Sequence, residues 1–215
     1  MRIFILLAFL TNSALAQTWD STARPDIYPV KVAMFKAGAH TKKDIVFLGN
    51  SITFWADWPE LLHMRNIRNR GIPGDNTFGV LERLDEVISG QPAKVFILIG
   101  INDIAKNFPD SVILGNYHRI IQRLKQGSPR TKIYFQTLLP TNSSFGKLKA
   151  YYQPDKITRI NAAIKQLGVE VIDLYPHFAD EKGELRADLS YDGVHMKKAG
   201  YDIWVTILRN GKFLQ

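Results

Sequence analysis

Short apolar runs that alternate with helical segments constrain the fold of this chain most strongly. The strongest run, residues 94–99, reads Lys-Val-Phe-Ile-Leu-Ile and has the continuous bulky character of a strand that is buried on both faces. Residues 44–49 have the same character, and residues 66–70 form a weaker candidate. Two more strands are predicted at residues 132–139 and 169–174. The sequence therefore predicts a sheet of five strands.

The segments between these runs have helical periodicity. Across residues 77–90, apolar side chains recur at helical spacing, and Gly90 ends the segment. Further helices are predicted around residues 30–39 and at residues 111–126, 155–167 and 197–208. Strands separated by helices of this length form βαβ units, with parallel strands and helices on both faces of the sheet. We therefore predict a single α/β domain over residues 17–215, without a linker or an internal repeat.

The first sixteen residues differ from the rest of the chain. Arg2 is followed by an apolar run at residues 3–10, and Ala14-Leu15-Ala16 has the small-x-small form of a signal-peptidase site. The pattern predicts a signal peptide over residues 1–16 and a secreted or periplasmic product. A buried N-terminal strand is the alternative interpretation. The run is too short to span a membrane as a helix, so no integral membrane segment is expected in the mature protein.

Composition excludes several classes of chemistry. The chain has no cysteine, which rules out thiolate catalysis, cysteine-ligated metals and disulfides. Its formal net charge is +8, and the basic residues are scattered along the sequence. A solvated surface explains this charge, and attraction to anionic glycans is the alternative. No basic stretch is interleaved with aromatic residues, so no nucleic-acid partner is expected.

Polar, glycine-containing segments follow the predicted strands. Residues 49–53 follow the first strand, residues 71–76 the second and residues 100–103 the third. A fourth segment, residues 192–195, precedes the last predicted helix. Ligands of open parallel sheets bind beyond the carboxyl ends of the strands. We therefore expect the four segments to converge at that edge of the sheet.

The side chains of these segments fit acyl transfer. Ser51 could act as a nucleophile with His195 as its base, and Asp192 could orient the imidazole. The backbone N–H groups of Ser51 and Gly74, together with the side-chain amide of Asn102, could hold an oxyanion. Taken singly, each residue could instead be a helix cap, a turn residue or a surface residue. Together, in this order after these strands, they favour a catalytic site.

The four segments resemble the sequence blocks of the SGNH hydrolase superfamily, also called GDSL-like lipases or acylhydrolases. The likeness runs from about residue 44 to residue 204. It implies a flavodoxin-like three-layer α/β/α sandwich with a mainly parallel five-stranded sheet, esterase activity, and no metal or organic cofactor. It also implies that Ser51, Gly74, Asn102 and His195 take the four eponymous roles, with Asp192 completing a catalytic triad.

The residues beside the predicted nucleophile depart from the family pattern in one place. Many members have aspartate before the serine, and this chain has Asn50. That position is not part of the triad, so the departure does not remove the predicted catalysis. Asn50, Trp55 and Trp58 are predicted to contact the substrate. The two tryptophans could narrow the acyl pocket or stack on a sugar, and packing in the core is the alternative.

Finer motifs, at residues 70–76 and 138–140, resemble the platelet-activating-factor-acetylhydrolase-like branch, which includes exported bacterial carbohydrate O-acetylesterases. This likeness implies a small-molecule or glycan ester with a short acyl group, above all acetyl. A lysophospholipase-like or thioester hydrolase is one alternative, but residues 141–153 offer few aliphatic side chains for a long acyl channel. A non-catalytic glycan-binding module is another, although such a module would be expected to have lost the serine, the histidine or the asparagine.

Overall fold

The computed structural model describes residues 19–215, and its centre is one five-stranded sheet in which every strand pair is parallel. The strand order is β2-β1-β3-β4-β5. The strands are β1 (Ile45–Gly49), β2 (Ile67–Gly71), β3 (Lys94–Leu98), β4 (Lys132–Gln136) and β5 (Glu170–Ile172). This order is that of a flavodoxin-like doubly wound sheet, so the predicted fold class is confirmed. The predicted signal peptide lies outside the described residues.

Ten α-helices lie before, between and after the strands within the described part of the chain. They are α1 (Tyr28–Ala37), α2 (Ser51–Phe54), α3 (Trp58–Leu62), α4 (Thr77–Glu82), α5 (Leu84–Gly90), α6 (Ile101–Ala105), α7 (Asp110–Gly127), α8 (Pro154–Ile164), α9 (Tyr175–Phe178) and α10 (Lys198–Asn210). Helix α7 contacts α4, α5 and α8, whereas α10 contacts α3. The helices therefore cover the sheet as two separate groups.

A row of aromatic rings crosses the middle of the sheet. Phe47, Phe96 and Tyr134 occupy matching positions on β1, β3 and β4, and their ring centroids are 4.9 and 4.7 Å apart. Trp58 stacks on Phe47 at 4.1 Å and carries the row into α3. Stacked aromatic pairs add about 0.5–1.5 kcal/mol each beyond their burial. The stacked rings therefore pack α3 firmly against the sheet beneath the site.

The predicted helix over residues 77–90 is wrong in one respect, because it is two helices that meet at Arg83. Arg83 is 2% exposed and turns its guanidinium into the interior, where it pairs with Asp75 and donates to the Gly49 carbonyl. The predicted strand over residues 132–139 is also shorter in the structure, because β4 ends at Gln136. After it, the backbone N–H and C=O of Leu138 bond to the Asn161 side chain instead of to another strand.

The carboxyl ends of β2, β1 and β3 lie side by side. Gly49 pairs in register with Gly71 on one side and with Leu98 on the other. A side chain at Gly49 would collide with Thr53 and with the backbone of Leu98, so glycine is what allows α2 to pack directly on the end of β1. Among residues 19–215, no helix is both long enough and apolar enough to cross a membrane.

Candidate active site

Ser51 occupies the first position of α2, immediately after β1. Asn50 caps this short helix, because its side-chain oxygen accepts a hydrogen bond from the Ile52 N–H at 3.0 Å. Two aromatic side chains hold the helix from behind: the Trp58 indole donates to the Thr53 carbonyl at 2.9 Å, and the Tyr201 hydroxyl donates to the Ile52 carbonyl at 2.7 Å. The serine is therefore fixed in a sharp strand-to-helix turn.

A continuous hydrogen-bond chain joins Ser51 to His195 and Asp192. The Ser51 Oγ lies 2.9 Å from Nε2 of His195, and Nδ1 of the same ring lies 2.7 Å from Oδ2 of Asp192. With the Nδ1 proton on the carboxylate side, Nε2 is free to accept the serine proton. Ser51 is separated from His195 by 144 residues in the sequence, so this contact exists only in the folded chain.

Asp192 is held as a carboxylate by its own loop. Its second oxygen accepts the backbone N–H groups of Val194 at 3.0 Å and His195 at 2.8 Å. Partial burial acts against the charged form, but the hydrogen bonds from the His195 ring and from these two N–H groups outweigh it and lower the pKa of Asp192. The carboxylate is thus positioned to orient the imidazole and to stabilise its protonated form.

The loop that carries these two residues is braced by Ser190 and Asn142. The Ser190 hydroxyl donates to the His195 carbonyl at 2.7 Å and accepts the Gly193 N–H at 2.9 Å. The Asn142 N–H donates to the Gly193 carbonyl at 2.9 Å. Gly193 has φ +88°, and a side chain there would collide with the Asn142 backbone. Glycine is therefore required for the turn between Asp192 and His195.

The predicted oxyanion donors lie on the neighbouring strand ends. Asn102 is buried, and its Nδ2 donates to the Asp75 carbonyl at 2.7 Å, which places the amide beside Gly74. One N–H of that amide remains for a ligand. Gly74 has φ +78°, and its own N–H donates no hydrogen bond to another of the described residues. Ser51 is at a helix N-terminus, where the N–H has no partner within the helix.

A buried network of charged and polar side chains lies beneath these donors. Asp75 pairs with Arg83 at 2.9 Å, and the Arg83 Nη2 donates to the Gly49 carbonyl at 3.0 Å, which ties the loop after β2 to the end of β1. Asp103 accepts the N–H of Thr77 at 3.1 Å and also the hydroxyl of that residue. Asp75 and Asp103 lie inside two of the predicted polar segments, but their role as buried supports is visible only in the structure.

Burial shifts the ionisation of both acids in this network. Complete burial raises the pKa of Asp103 to about 7, although the hydrogen bonds from Thr77 act in the opposite direction. Burial also raises the pKa of Asp75, and the Arg83 charge offsets only part of that effect. Arg83 could not have been singled out from the sequence, because it lies in a segment with ordinary helical periodicity.

The three residues that were predicted to contact substrate differ in their exposure to solvent. Trp58 is 0% exposed and stacks on Phe47, so its predicted contact with substrate is wrong and the core alternative is correct. Asn50 is also 0% exposed and serves as the cap of α2, so substrate contact is wrong for it as well. Trp55 is 63% exposed and lines a cleft of about 640 Å³ that also includes His195. Only Trp55 remains available to a substrate.

The sequence gives no signal for a role of Tyr151, which lies in the segment of residues 141–153 with few aliphatic side chains. The Tyr151 hydroxyl donates to Oδ1 of Asn102 at 2.9 Å and so fixes which way that amide faces. Burial and, to a lesser degree, the charge of Asp192 raise the pKa of the Tyr151 hydroxyl, which keeps it a donor at neutral pH. In residues 19–215, no group of three or more His, Asp or Glu side chains is arranged to hold a metal ion.

Known acylhydrolases are similar to this chain in sequence and in fold. The curated human platelet-activating factor acetylhydrolase IB subunit alpha2 is 25% identical over 173 residues, which cover 74% of this chain and 71% of that protein. A solved structure from Streptococcus pneumonia, whose name refers to platelet activating factor, is 31% identical with a TM-score of 0.79, and the match covers 87% of this chain and 91% of the other.

A GDSL-like lipase from Bacteroides thetaiotaomicron is also similar. It is 26% identical with a TM-score of 0.75, and the match covers 86% of this chain and 96% of the other. The profile of the GDSL-like Lipase/Acylhydrolase family matches residues 47–203, which include both Ser51 and His195. The superfamily predicted from the sequence is therefore confirmed, and the protein is an ester-hydrolysing enzyme. The chain belongs to the GDSL-like lipase/acylhydrolase family.

Proposed function

We propose that the enzyme is a serine esterase that works through an acyl-enzyme intermediate on Ser51, with His195 as base and Asp192 as its orienting carboxylate. The observation that carries the proposal is the chain of hydrogen bonds at 2.9 and 2.7 Å that joins the three side chains. A serine hydroxyl becomes a useful nucleophile only when a base takes its proton, and this arrangement supplies the base.

The reaction would proceed in two halves. Ser51 Oγ attacks the ester carbonyl carbon while its proton passes to His195 Nε2, and the oxyanion is held by the N–H groups of Ser51 and Gly74 and by the Asn102 amide. His195 then gives the proton to the leaving alcohol oxygen, and the acyl group stays on Ser51. Water attacks the acyl-enzyme with His195 again as base, and the carboxylic acid leaves as Ser51 regains its proton.

The proposed substrate is a short-chain ester, above all an acetyl ester of a carbohydrate. Similarity to proteins named acetylhydrolase supports the acetyl group. Residues 141–153 support a short acyl chain, because they form short 3-10 turns at Ser143–Phe145 and Lys149–Tyr151 and offer few aliphatic side chains to cover a fatty chain. Exposed Trp55 beside His195 supports a sugar as the alcohol.

We further propose that the enzyme acts outside the cytoplasm after cleavage behind Ala16. The charged start, the apolar run and the small-x-small site stand in the order of a signal peptide. N-terminal sequencing of the protein from its native host should find Gln17 as the first residue. A cytoplasmic product that retains Met1 would contradict export without touching the esterase proposal.

The central test combines a nucleophile variant with a series of esters. Ser51→Ala should lower kcat by several powers of ten while the circular dichroism spectrum stays that of the wild type. For the wild type, kcat/KM on p-nitrophenyl esters should fall from acetyl to butyryl and be very low for octanoyl, because a small acyl pocket excludes longer chains. Each methylene that merely fits a pocket is worth only about 1–3 kcal/mol, so a steep fall indicates exclusion.

Two outcomes would overturn parts of this assignment. Undiminished turnover by a folded Ser51→Ala protein would remove the proposed nucleophile. Faster hydrolysis of octanoyl than of acetyl esters would favour a lipid esterase in place of a carbohydrate acetylesterase.

A further inference from the structure

Two exposed aromatic side chains flank the cleft beside His195. Trp55 is 63% exposed and Tyr191 is 69% exposed, so both present most of their rings to solvent. They belong to separate segments, one at the end of α2 and the other in the loop that carries Asp192 and His195, yet they line the same cleft of about 640 Å³. Large apolar rings left in water beside a reactive centre indicate a binding surface.

The cleft lies on one particular side of the reacting atoms. Its lining includes Asp192 and His195, but neither Gly74 nor Asn102, which are the proposed oxyanion donors. In the proposed mechanism His195 gives its proton to the alcohol that departs, whereas the oxyanion donors hold the carbonyl oxygen. A cleft on the histidine side is therefore the place for the alcohol portion of the ester.

The polar lining of the cleft is acidic. Asp57 and Glu60 contribute carboxylates, and within residues 19–215 neither of them forms an ion pair with a cation, although Oδ1 of Asp57 caps α3 by accepting the Glu60 N–H at 3.3 Å. Lys198 also lines the cleft, but its ammonium group pairs with Asp202 at 2.7 Å. Unpaired carboxylates accept hydrogen bonds from hydroxyl groups and repel anions. This disfavours a phospholipid headgroup or an acidic sugar and favours a neutral polyhydroxylated ligand.

We propose that this cleft is the binding site for the sugar portion of the substrate, a neutral glycosyl unit that stacks on Trp55 and Tyr191 and donates hydroxyl hydrogen bonds to Asp57 and Glu60. The proposal rests on the proposed esterase function for the placement of the leaving alcohol. A pyranose ring has an apolar C–H face and a hydroxyl-bearing rim, and the cleft offers aromatic rings for the first and carboxylates for the second.

The test separates binding from catalysis. Xylotriose, a neutral oligosaccharide, is titrated by calorimetry into the Ser51→Ala protein, which needs no turnover to report binding. Saturable binding is expected, and a second substitution, Trp55→Ala or Tyr191→Ala, should weaken it about tenfold, as expected for the loss of one stacking contact. Met34→Ala is the matched control, because Met34 is 60% exposed on α1 and does not line the cleft, so affinity should be unchanged.

The kinetic arm uses two acetate esters that differ only in the alcohol. Trp55→Ala and Tyr191→Ala should lower kcat/KM for an acetylated methyl xyloside about tenfold and lower kcat/KM for ethyl acetate by a much smaller factor, since ethanol is too small to reach the aromatic rings. Equal losses on both esters, or xylotriose binding that is unaffected by either substitution, would overturn the sugar site. A wild type that binds xylotriose but hydrolyses neither ester would support the sugar site and overturn the esterase mechanism instead.

Discussion

The two walls of the active site differ in how deeply their polar side chains are buried. The strand-end wall contains Asp75, Asn102 and Asp103, which are 0%, 4% and 0% exposed. The opposite wall is the loop that carries Asp192 and His195, whose side chains are 23% and 31% exposed. A buried charge that loses its partner costs folding free energy, whereas a solvent-exposed one does not. Substitutions in the strand-end wall should therefore lower both activity and stability, whereas substitutions in the histidine loop should lower activity with little effect on stability.

The largest expected effect on activity comes from the histidine loop. His195→Ala should lower kcat by several powers of ten, because among the described residues His195 is the only base within hydrogen-bond distance of Ser51 Oγ. The free energy of unfolding should change by less than about 1 kcal/mol, since the ring is partly exposed. Ester hydrolysis and urea denaturation of the same preparation measure the two effects.

His177→Ala serves as the matched control, because His177 lies on α9 and makes no side-chain hydrogen bond to the site residues. It should retain full activity. Loss of activity in a folded His177→Ala protein, together with retention in His195→Ala, would move the base elsewhere.

The largest expected effect on stability comes from the strand-end wall. Arg83→Met removes the only ion-pair partner of Asp75 among the described residues and leaves a buried carboxylate uncompensated. The free energy of unfolding should fall by about 3–5 kcal/mol. Arg24→Met breaks the more exposed Arg24–Glu82 pair and should cost about 0–1 kcal/mol. Equal losses in the two variants would show that burial of the Arg83–Asp75 pair does not tie the strand-end wall to stability.

The third prediction concerns the pH dependence of stability. The pKa of Asp103 is about 7 in the folded protein and near 3.8 in the unfolded chain, so between these values the folded state holds the extra proton. The contribution of Asp103 to the unfolding free energy should therefore fall as pH rises from about 4 to about 7, and change little above that. Asp103→Asn cannot ionise and should lose this slope in denaturation curves measured from pH 5 to pH 8. An unchanged slope would mean that Asp103 stays ionised when folded.

The smallest expected effect is at Tyr151, where the segment over residues 141–153 meets the strand-end wall. Tyr151→Phe removes the hydrogen bond to Asn102 Oδ1, which is worth about 0.5–1.5 kcal/mol, so kcat should fall roughly three- to tenfold with KM little changed. Tyr152→Phe is the neighbouring control, since the buried Tyr152 hydroxyl has no hydrogen-bond partner among the described residues. A fall in kcat for both variants alike would assign the effect to packing instead of to amide orientation.

Local patterns in the sequence predicted much of the fold. The continuous bulky run at residues 94–99 predicts a strand that is buried on both faces. In the structure this run forms β3, the central strand of the sheet. The serine, glycine and asparagine segments after their strands, and the histidine segment before the last helix, also predicted which loops meet, because parallel strands end at one edge. The structure brings Ser51, Asp192 and His195 into hydrogen-bond contact there.

The sequence by itself determined the sheet, the superfamily and the segments that converge at the site, because these depend on side-chain type and on spacing along the chain. Only the tertiary structure decided which tryptophan faces water. Trp55 and Trp58 are three residues apart and chemically identical, but α3 turns one onto the aromatic row of the sheet and leaves the other at the cleft. It also decided the contact of Arg83 with the Gly49 carbonyl and the contact of Tyr151 with Asn102, because these partners are distant in sequence and close only after packing.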